Sequence, residues 1–398
     1  MGKYVIVGNG VAGTTAAETI RKLDKNGTIT LITDEGLPFY WRLRLNEYLA
    51  GDLREGDLLA RSAQWYEERG ITLRLESTVI GGDAKETVVV TNGGEKIRYD
   101  KLLIATGSHS FIPPIAGSAK QGVWALRTIK DAQEILKSTK RVEMVVVIGG
   151  GLLGLEAGNA LRRLGKEVVV VEFFPRLLPR QLDNEGAKRL QDMMEAMGFS
   201  FRLGAKTQGI TGAAGVNGVA LEGGELLPAQ MVIISAGVRP NLALVGPLGL
   251  KADKGIIVSE HLSTNQADIY AAGDVAEFQG MLYGIWPAAM EQGRIAGANM
   301  AGNASSYHGT TMANTLKVVG IDLASAGEID ADNKHESIVV SDAHSYKKIV
   351  IDDNRIIGCI MLGDKRNFNR LTELIANKQD VSSVKNEILS EGFDFEGL

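Results

Sequence analysis

Apolar and polar residues near the start of the chain follow the pattern of a strand, a turn and a helix. The apolar run Tyr4–Val7 predicts a buried strand, and a second strand-like run, Ile29–Thr33, is followed by Glu35. Between them, apolar residues recur at spacings of four, four and three, as on one helix face: Ala12, Ala16, Ile20 and Leu23. The turn before this helix holds Gly8, Gly10 and Gly13.

The same pattern returns 141 residues later in the chain. Strands are predicted at Met144–Ile148 and Glu167–Val171, and Glu172 ends the second of them. The helical face repeats with the same spacing: Leu153, Ala157, Leu161 and Leu164. The turn before it holds Gly149, Gly151 and Gly154. The chain therefore contains two copies of a strand–turn–helix–strand unit.

Glycines at these three places have a specific physical use. The first permits a tight turn, the second lets the backbone approach a pyrophosphate, and the third lets the helix pack on the strand. The pyrophosphate lies on N–H groups at the positive end of the helix dipole, and the acid accepts hydrogen bonds from ribose hydroxyls. Two such units predict two bound dinucleotides, and two structural glycine turns without ligands are the alternative.

The second unit favours NAD(H) over NADP(H). Glu172 suits a free ribose 2′-hydroxyl and repels a 2′-phosphate. Phe173 and Phe174, which follow it, carry no charge, and Arg176 is the nearby cation.

Composition excludes several classes of protein. Glycine is about 12% of the 398 residues, against a usual ~7%, so the excess needs local reasons such as tight turns. The net charge of −5 argues against nucleic-acid binding. No apolar run reaches the ~18 residues of a membrane span, and the N-terminus lacks a signal-peptide pattern. A cytoplasmic protein is therefore predicted.

Five motifs occur in a fixed order along nearly the whole chain. They are the glycine turns at 8–13 and 149–154, ATG at 105–107, AGVRPN at 236–241 and AAGD at 271–274. Together they resemble the FAD-dependent pyridine nucleotide-disulfide oxidoreductases of glutathione reductase type. The resemblance implies that the first unit binds FAD and the second binds NAD(H). Within this family the chain is most similar to NADH:rubredoxin oxidoreductases and to FAD/NAD modules of nitrite reductases and anaerobic oxidoreductase complexes.

The resemblance also implies roles for particular residues. Asp274 binds the flavin ribityl chain, Arg42 pairs with the pyrophosphate, Glu156 lies beside the nicotinamide and Trp286 flanks the flavin ring. The residues alone allow other roles: Asp274 as a helix N-cap, Glu156 near the dipole in the first helical turn, Arg42 in a surface ion pair, and Trp286 in core packing. A departure from the family is Glu47, where many ferredoxin reductases have a lysine near the flavin.

The complete set of expected cofactor-binding residues covers both units and the motifs between them. It comprises Gly8, Gly10, Ala12, Gly13, Glu35, Arg42, Ala105, Thr106, Gly107, Gly149, Gly151, Leu153, Gly154, Glu156, Glu172, Ala236, Gly237, Gly273, Asp274 and Trp286. No side chain is assigned as a certain catalytic residue, because the flavin carries the chemistry. No metal site is predicted.

The position of the cysteine narrows the reaction class. Disulfide reductases of this family relay electrons through cysteines near the flavin, in the region that corresponds to 39–47 here, and this region contains none. Cys359 lies in the apolar run IIGCIML and is expected to be buried. A thiol relay is therefore excluded, and electrons must pass directly from the flavin to an acceptor.

The expected fold class is α/β, with two Rossmann-like domains of glutathione reductase type and a small C-terminal α+β domain. Residues 1–112 and 240–304 are predicted to form the FAD-binding domain, 113–239 the NAD(H)-binding domain and 305–398 a C-terminal interface domain. Strands are predicted in the last domain at Leu316–Val319, Ser337–Val340, Lys348–Ile351 and Ile356–Leu362, followed by a helix at LTELIA.

The C-terminal domain carries candidates for an exposed basic patch: Lys347, Lys348, Lys365, Arg366 and Arg370. Such a patch could steer an acidic iron–sulfur carrier, and an ordinary solvated face is the alternative. The predicted function is electron transfer between NAD(H) and an iron–sulfur carrier, which is a rubredoxin, a ferredoxin or a partner subunit. An NADH oxidase or diaphorase acting on oxygen or quinones, and a low-turnover flavin-binding structural or sensor subunit, are the alternatives.

Overall fold

The computed structural model describes residues 2–311, 313–318 and 320–395, and the chain divides into two compact units. Unit 1 comprises Met1–Arg44, Arg54–His109 and Val238–Thr310. Unit 2 comprises Leu45–Leu53, Ser110–Gly237 and Thr311–Leu398.

Both units contain strands and helices. The strands are β1 (Lys3–Val7), β2 (Thr28–Ile32), β3 (Ile71–Arg74), β4 (Val79–Asp83), β5 (Val88–Thr91), β6 (Lys96–Arg98), β7 (Lys101–Ile104), β8 (Ser108–Ser110), β9 (Val123–Trp124), β10 (Met144–Ile148), β11 (Glu167–Glu172), β12 (Phe199–Leu203), β13 (Thr207–Thr211), β14 (Gly218–Leu221), β15 (Leu226–Pro228), β16 (Met231–Ile234), β17 (Val238–Pro240), β18 (Ile256–Val258), β19 (Ile269–Ala271), β20 (Ala276–Phe278), β21 (Ala313–Val318), β22 (Ile321–Gly327), β23 (Glu336–Ser341), β24 (Tyr346–Asp352) and β25 (Arg355–Leu362). The α-helices are α1 (Val11–Leu23), α2 (Leu45–Leu49), α3 (Ala63–Glu67), α4 (Ile129–Thr139), α5 (Leu152–Arg163), α6 (Asn184–Ala196), α7 (Val245–Leu248), α8 (Trp286–Met300) and α9 (Phe368–Asn377).

Unit 1 is built on a parallel sheet with the order β19-β7-β1-β2-β3. The first predicted unit is observed as β1, α1 and β2, with Ala12, Ala16 and Ile20 buried as expected. Leu23 is 47% exposed, because it lies at the last position of α1, beyond the sheet-facing turns. Three strands, β4, β5 and β6, form a separate antiparallel sheet.

Two glycines of α8 bring this helix into close contact with α1. A Cβ atom at Gly293 would lie 2.3 Å from the carbonyl oxygen of Ala12, and one at Gly297 would lie 2.7 Å from that of Ala16. These positions exclude a larger side chain without a backbone shift. Pro287 lies in the first turn of α8, where the missing N–H of proline costs no helical hydrogen bond.

The second predicted unit is observed as β10, α5 and β11 of unit 2. Its parallel sheet has the order β12-β11-β10-β16-β9. Ala157 and Leu161 of α5 are buried against the apolar residues of β10 and β11. The fold class predicted for the chain is confirmed.

Strands β21 to β25 form an antiparallel sheet with the order β21-β22-β25-β24-β23, and α9 packs on β22 and β25. The predicted strands correspond to β21, β23, β24 and β25, although Val319 lies outside the described residues. Strand β22 was not predicted, because small and polar residues in IDLASAG weaken its apolar pattern. Cys359 is buried in β25, as predicted, and burial raises the pKa of its thiol to about 12.

Two features of the C-terminal segment differ from the expectations. Lys348 is only 2% exposed, so it is not part of a surface patch. The other four cations lie in ion pairs: Lys347 and Arg366 with Asp364, Lys365 with Asp322, and Arg370 with Glu373. The segment therefore presents cations whose charges are locally balanced by neighbouring carboxylates.

The compact division of the chain is coarser than the three predicted domains. It groups 311–398 with 110–237, and it places the short segment Leu45–Leu53 in unit 2. The boundaries at 112, 239 and 304 stay a prediction. Of the helices in the described residues, none is both long and apolar enough to cross a membrane.

Candidate dinucleotide-binding sites

The first glycine turn joins β1 to α1 in unit 1. Gly8 has a φ of +112°, and a Cβ atom there would lie 2.1 Å from the carbonyl oxygen of Ala105. A Cβ atom at Gly13 would lie 1.9 Å from the carbonyl oxygen of Gly8. A Cβ atom at Gly10 would have no atom of the described residues within 4 Å. Open space thus lies at the N-terminus of α1, where backbone N–H groups favour an anion.

A buried donor lies within this turn. Asn9 accepts hydrogen bonds at Oδ1 from Thr14 Oγ1 (3.1 Å) and from Tyr66 Oη (2.9 Å). Its Nδ2 is buried and has no hydrogen-bond partner among the described residues. Buried polar groups are normally paired, so this donor fits a site for an acceptor-rich ligand such as a pyrophosphate.

The turn after β7 is held by Asn241. Asn241 Nδ2 donates to the carbonyl oxygen of Thr106 at 2.7 Å, and its backbone N–H donates to that of Gly107 at 2.9 Å. Thr106 Oγ1 donates to the carbonyl oxygen of Asn241 at 3.1 Å. Gly107 has a φ of +66°, and a Cβ atom there meets nothing within 4 Å in the described part of the chain.

Asp274 lies at the end of the AAGD motif and accepts a hydrogen bond at Oδ2 from Ser108 Oγ (2.7 Å). The preceding Gly273 has a φ of +83°, and its N–H donates to Gln292 Oε1 at 2.8 Å. Strand β20 follows Asp274, so the alternative that Asp274 caps a helix is wrong. Each carboxylate oxygen has two lone pairs, so a carboxylate at this position can accept more than one hydrogen bond.

Arg42 and Glu35 form an ion pair, and Glu35 also accepts a hydrogen bond from Tyr40 Oη. Desolvation opposes the charge of Arg42, but Tyr40, Glu35 and Asp274 outweigh it, so that the pKa of Arg42 is raised. The two residues predicted to contact FAD separately are thus in direct contact. The surface-ion-pair alternative for Arg42 agrees with this contact, although the side chain is only 30% exposed.

Trp286 is the first residue of α8 and belongs to an aromatic cluster with Phe39 and Trp41. Its ring stacks on Trp41 with centroids 5.1 Å apart and lies 5.7 Å from Phe39. Trp286 is half-buried and Trp41 is 38% exposed, so the cluster reaches the surface of unit 1.

The second glycine turn, in unit 2, has the same geometry as the first. Gly149 has a φ of +118°, and a Cβ atom there would lie 2.2 Å from the carbonyl oxygen of Ser235. A Cβ atom at Gly154 would lie 2.1 Å from that of Gly149, whereas Gly151 faces open space among the described residues. Leu153, in the first turn of α5, is 44% exposed.

Glu172 is buried and supports this turn with both carboxylate oxygens. The N–H of Gly150 donates to Oε2 at 2.6 Å, and that of Phe174 donates to Oε1 at 2.8 Å. The two predicted acids are not at equivalent positions. Gly8 N–H donates to the carbonyl of Ile32 and Gly149 N–H to that of Val171, so Glu172 corresponds to Thr33 rather than to Glu35.

Glu156 lies in α5 beyond its first turn, so the predicted place in the first turn near the dipole is wrong. Asn46 Nδ2, from α2, donates to Glu156 Oε2 at 2.9 Å. Burial raises the pKa of Glu156 to about 7; the bond from Asn46 acts to lower this pKa, and the carboxylate of Glu47 adds to the rise.

The expected residues divide between the units. Unit 1 holds Gly8, Gly10, Ala12, Gly13, Glu35, Arg42, Ala105, Thr106, Gly107, Gly273, Asp274 and Trp286, and unit 2 holds Gly149, Gly151, Leu153, Gly154, Glu156, Glu172, Ala236 and Gly237. Ala236 and Gly237 are exposed, and Gly237 has a φ of +95°. Sequence reasoning missed Asn9, Tyr40, Asn46, Ser108 and Asn241 as site residues. Asn9 and Asn241 lie inside the motifs at 8–13 and 236–241, and this position was the signal that could have found them.

Comparison with known proteins places this geometry in a family. The family model "Pyridine nucleotide-disulphide oxidoreductase" matches residues 2–293, and "Rubredoxin NAD+ reductase C-terminal domain" matches residues 313–379. The chain belongs to the pyridine nucleotide-disulphide oxidoreductase family, whose members depend on FAD and NAD(H). The predicted family and cofactors are confirmed.

Individual relatives cover nearly all of the chain. It is 36% identical over 391 residues to the assimilatory nitrate reductase electron transfer subunit of Bacillus subtilis (strain 168), covering 97% of this chain and 51% of that protein. The chain thus spans about half the length of the first curated relatives that it matches. It is 30% identical to the NADH-rubredoxin oxidoreductase of Clostridium acetobutylicum, covering 96% of both chains. The structure of a covalent putidaredoxin reductase–putidaredoxin complex matches with a TM-score of 0.86 and 26% identity, covering 95% of this chain and 94% of the other.

Proposed function

We propose that this protein is an FAD-containing oxidoreductase that moves electrons between NAD(H) and an iron–sulfur electron carrier. The observation that carries the proposal is the combination of two matching dinucleotide turns with a single cysteine that is buried in β25. When bound, FAD supplies the exchange between the electron pair of NADH and the single electrons of an iron centre. Without a thiol relay, this exchange is direct.

The residues of unit 1 would hold FAD. Gly8, Gly10 and Gly13 leave room for the pyrophosphate at the N-terminus of α1.

Polar side chains of unit 1 would bind the other parts of FAD. Arg42 places a cation for the phosphates, and the paired Glu35 is an acceptor for ribose hydroxyls. Asp274, oriented by Ser108, accepts from the ribityl hydroxyls.

The residues of unit 2 would hold NAD(H). Gly149, Gly151 and Gly154 repeat the pyrophosphate-binding turn. Glu172 has acceptor capacity beyond its two backbone bonds, so it can receive a bond from the ribose and disfavours a 2′-phosphate. Glu156 is proposed to lie beside the nicotinamide.

An iron–sulfur carrier is the acceptor that the comparisons favour. The C-terminal segment matches the rubredoxin NAD+ reductase domain, and the Clostridium relative is named for rubredoxin. The Bacillus relative is named as an electron transfer subunit of a reductase. The proposed carriers therefore include an iron–sulfur subunit of a larger redox complex. We also propose a cytoplasmic location, where NAD(H) is available. Fractionation that recovered the protein only outside the cytoplasm would contradict this.

Anaerobic turnover tests the acceptor. The FAD-loaded protein is mixed with NADH and with oxidised rubredoxin or ferredoxin, and the absorbance of each carrier is followed. Rapid reduction of a carrier is expected, with slower NADH consumption when oxygen or a quinone replaces it. Turnover with oxygen or quinone alone would instead establish the oxidase or diaphorase, and a flavin that NADH does not bleach would establish the low-turnover subunit.

A further inference from the structure

The carboxyl group of Glu156 has an unusual set of neighbours in unit 2. Its hydrogen-bond donor is the neutral amide of Asn46, at 2.9 Å, and its charged neighbour is a second carboxylate, Glu47. Both neighbours come from α2, which also carries the phenol of Tyr48. A partly buried carboxylate beside another carboxylate is disfavoured relative to the neutral acid.

Among the side chains that the structure describes, those of the other elements packed on α5 do not offset this effect. The strands β10, β11 and β16 present apolar residues to the helix, and Glu172 of β11 is bonded to its own turn. On α5 itself, Arg163 pairs with Asp52, and Arg162 bonds Asn159. Arg163 is two helical turns from Glu156, about 10 Å along the axis. The side chains of β21, which also packs on α5, lie outside the described residues.

The amide of Asn46 has a second polar atom that bears on the protonation of Glu156. Asn46 Oδ1 is buried and has no hydrogen-bond partner among the described residues. An ionised carboxylate only accepts hydrogen bonds, whereas the neutral acid has one O–H to donate. Protonation of Glu156 therefore adds an O–H donor to the side chain that the same amide already contacts through Nδ2.

We propose that Glu156 and Asn46 form a proton-binding pair that links the charge of the bound pyridine nucleotide to pH. The inference rests on the proposed function, which places the nicotinamide beside Glu156. NAD⁺, with its cationic ring, binds best to the ionised carboxylate, so the neutral acid releases its proton to solvent as NAD⁺ binds. NADH, with an uncharged ring, binds the protonated pair. Asn46 acts as a positioning residue, because it works through Glu156.

The coupling between proton release from Glu156 and NAD⁺ binding fixes the direction of the pH dependence. The affinity for NAD⁺ rises as pH rises through the titration of Glu156, by at most tenfold per pH unit for one proton. Below the pKa that Glu156 has in the NAD⁺ complex, the affinity levels off, because Glu156 is then protonated with and without the nucleotide. A reduced nucleotide shows no such rise. The ratio of the affinity for NAD⁺ to the affinity for NADH therefore increases as pH rises through the titration of Glu156.

Calorimetry on the FAD-loaded full chain tests this. NAD⁺ is titrated between pH 5.5 and 8.5 in buffers that differ in ionisation enthalpy, so that proton release is counted directly. A tetrahydro analogue of NADH, which cannot transfer hydride, serves as the reduced probe. We expect proton release near pH 7 with NAD⁺ and none with the analogue.

Variants test whether the pH dependence of NAD⁺ binding arises from Glu156 and Asn46 or from other titrating groups. E156Q should bind NAD⁺ without proton release and with an affinity that no longer changes with pH. N46A removes both the bond to the carboxylate and the amide oxygen that would accept from the neutral acid, so proton release should persist with a displaced midpoint, whereas E47Q removes a like charge and should move the midpoint to lower pH. E195Q, on the exposed face of α6, is the control and should match the unaltered protein.

Two results would overturn the proposal. One is NAD⁺ binding by the unaltered protein with no proton release between pH 6 and 8. The other is E156Q with its pH dependence intact. A chain that binds no NAD⁺ at any pH would contradict the proposed function itself, and this outcome is distinct from both.

Discussion

Lys348 Nζ lies 3.1 Å from Asp183 Oδ2, and both side chains are buried in unit 2. The same carboxylate oxygen accepts a hydrogen bond from Tyr346 Oη at 2.6 Å, while Oδ1 accepts from the N–H of Gly186 and so caps α6. Lys348 Nζ also donates to the carbonyl oxygen of Asp330. Strand β24 is thereby joined to the start of α6 by a buried ion pair whose two members also make other hydrogen bonds.

Removal of one partner of this pair is expected to destabilise unit 2. K348M leaves a buried carboxylate without its cation, which costs about 3–5 kcal/mol in the free energy of unfolding. The double variant K348M/D183N should recover much of this loss, because no unpaired charge remains. Urea denaturation measures the difference. The partly exposed pair Lys365–Asp322 is the control, where K365M should cost at most ~1 kcal/mol.

Two glycines of the first turn are expected to respond differently to alanine. In G10A the methyl group enters open space, so the unfolding temperature of the FAD-free chain should not change, while the affinity for FAD falls at least ~10-fold because the methyl displaces the pyrophosphate. In G13A the methyl meets the carbonyl of Gly8, so both stability and affinity should fall. Thermal denaturation and flavin fluorescence separate the two effects. Tight FAD binding by G10A would argue that the turn is only structural.

The affinity for FAD should depend on Asp274 more than on Ser108. D274A removes an acceptor for the ribityl hydroxyls, and a hydrogen bond to a charged group contributes about 1.5–3 kcal/mol. The dissociation constant of FAD should therefore rise ~10- to 150-fold. S108A removes only the orienting bond, so a smaller rise is expected. Equal effects would indicate that Asp274 acts on the fold rather than on the flavin.

Cys359 should have no part in turnover. We expect C359A to reduce NADH-dependent acceptor turnover by less than twofold, with a modest loss of stability from the cavity it leaves. The native thiol should also resist alkylation at pH 8, because burial raises its pKa to about 12 and keeps it protonated. Mass spectrometry after treatment with iodoacetamide, with and without urea, measures this. Inactivation by alkylation of the folded protein would restore a thiol mechanism.

Sequence alone determined the two dinucleotide units and the buried cysteine. The glycine turns, the helix face with Ala16 and Ile20, and the apolar run around Cys359 are local patterns, and backbone geometry and burial follow directly from such patterns. The absence of cysteine from residues 39–47 needed no structure at all. These features are sufficient to predict the family and its cofactors.

Only the tertiary structure decided which polar groups meet. Asn46 and Glu156 are 110 residues apart, and Asp183 and Lys348 are 165 apart, so no local period relates them. From the sequence alone, Lys348 is expected to be an exposed cation. In the fold it is buried, because its Nζ pairs with the carboxylate of Asp183 and donates to the carbonyl oxygen of Asp330. The glycine and cysteine patterns are short-range, whereas protonation and ion pairing depend on neighbours that only folding brings together.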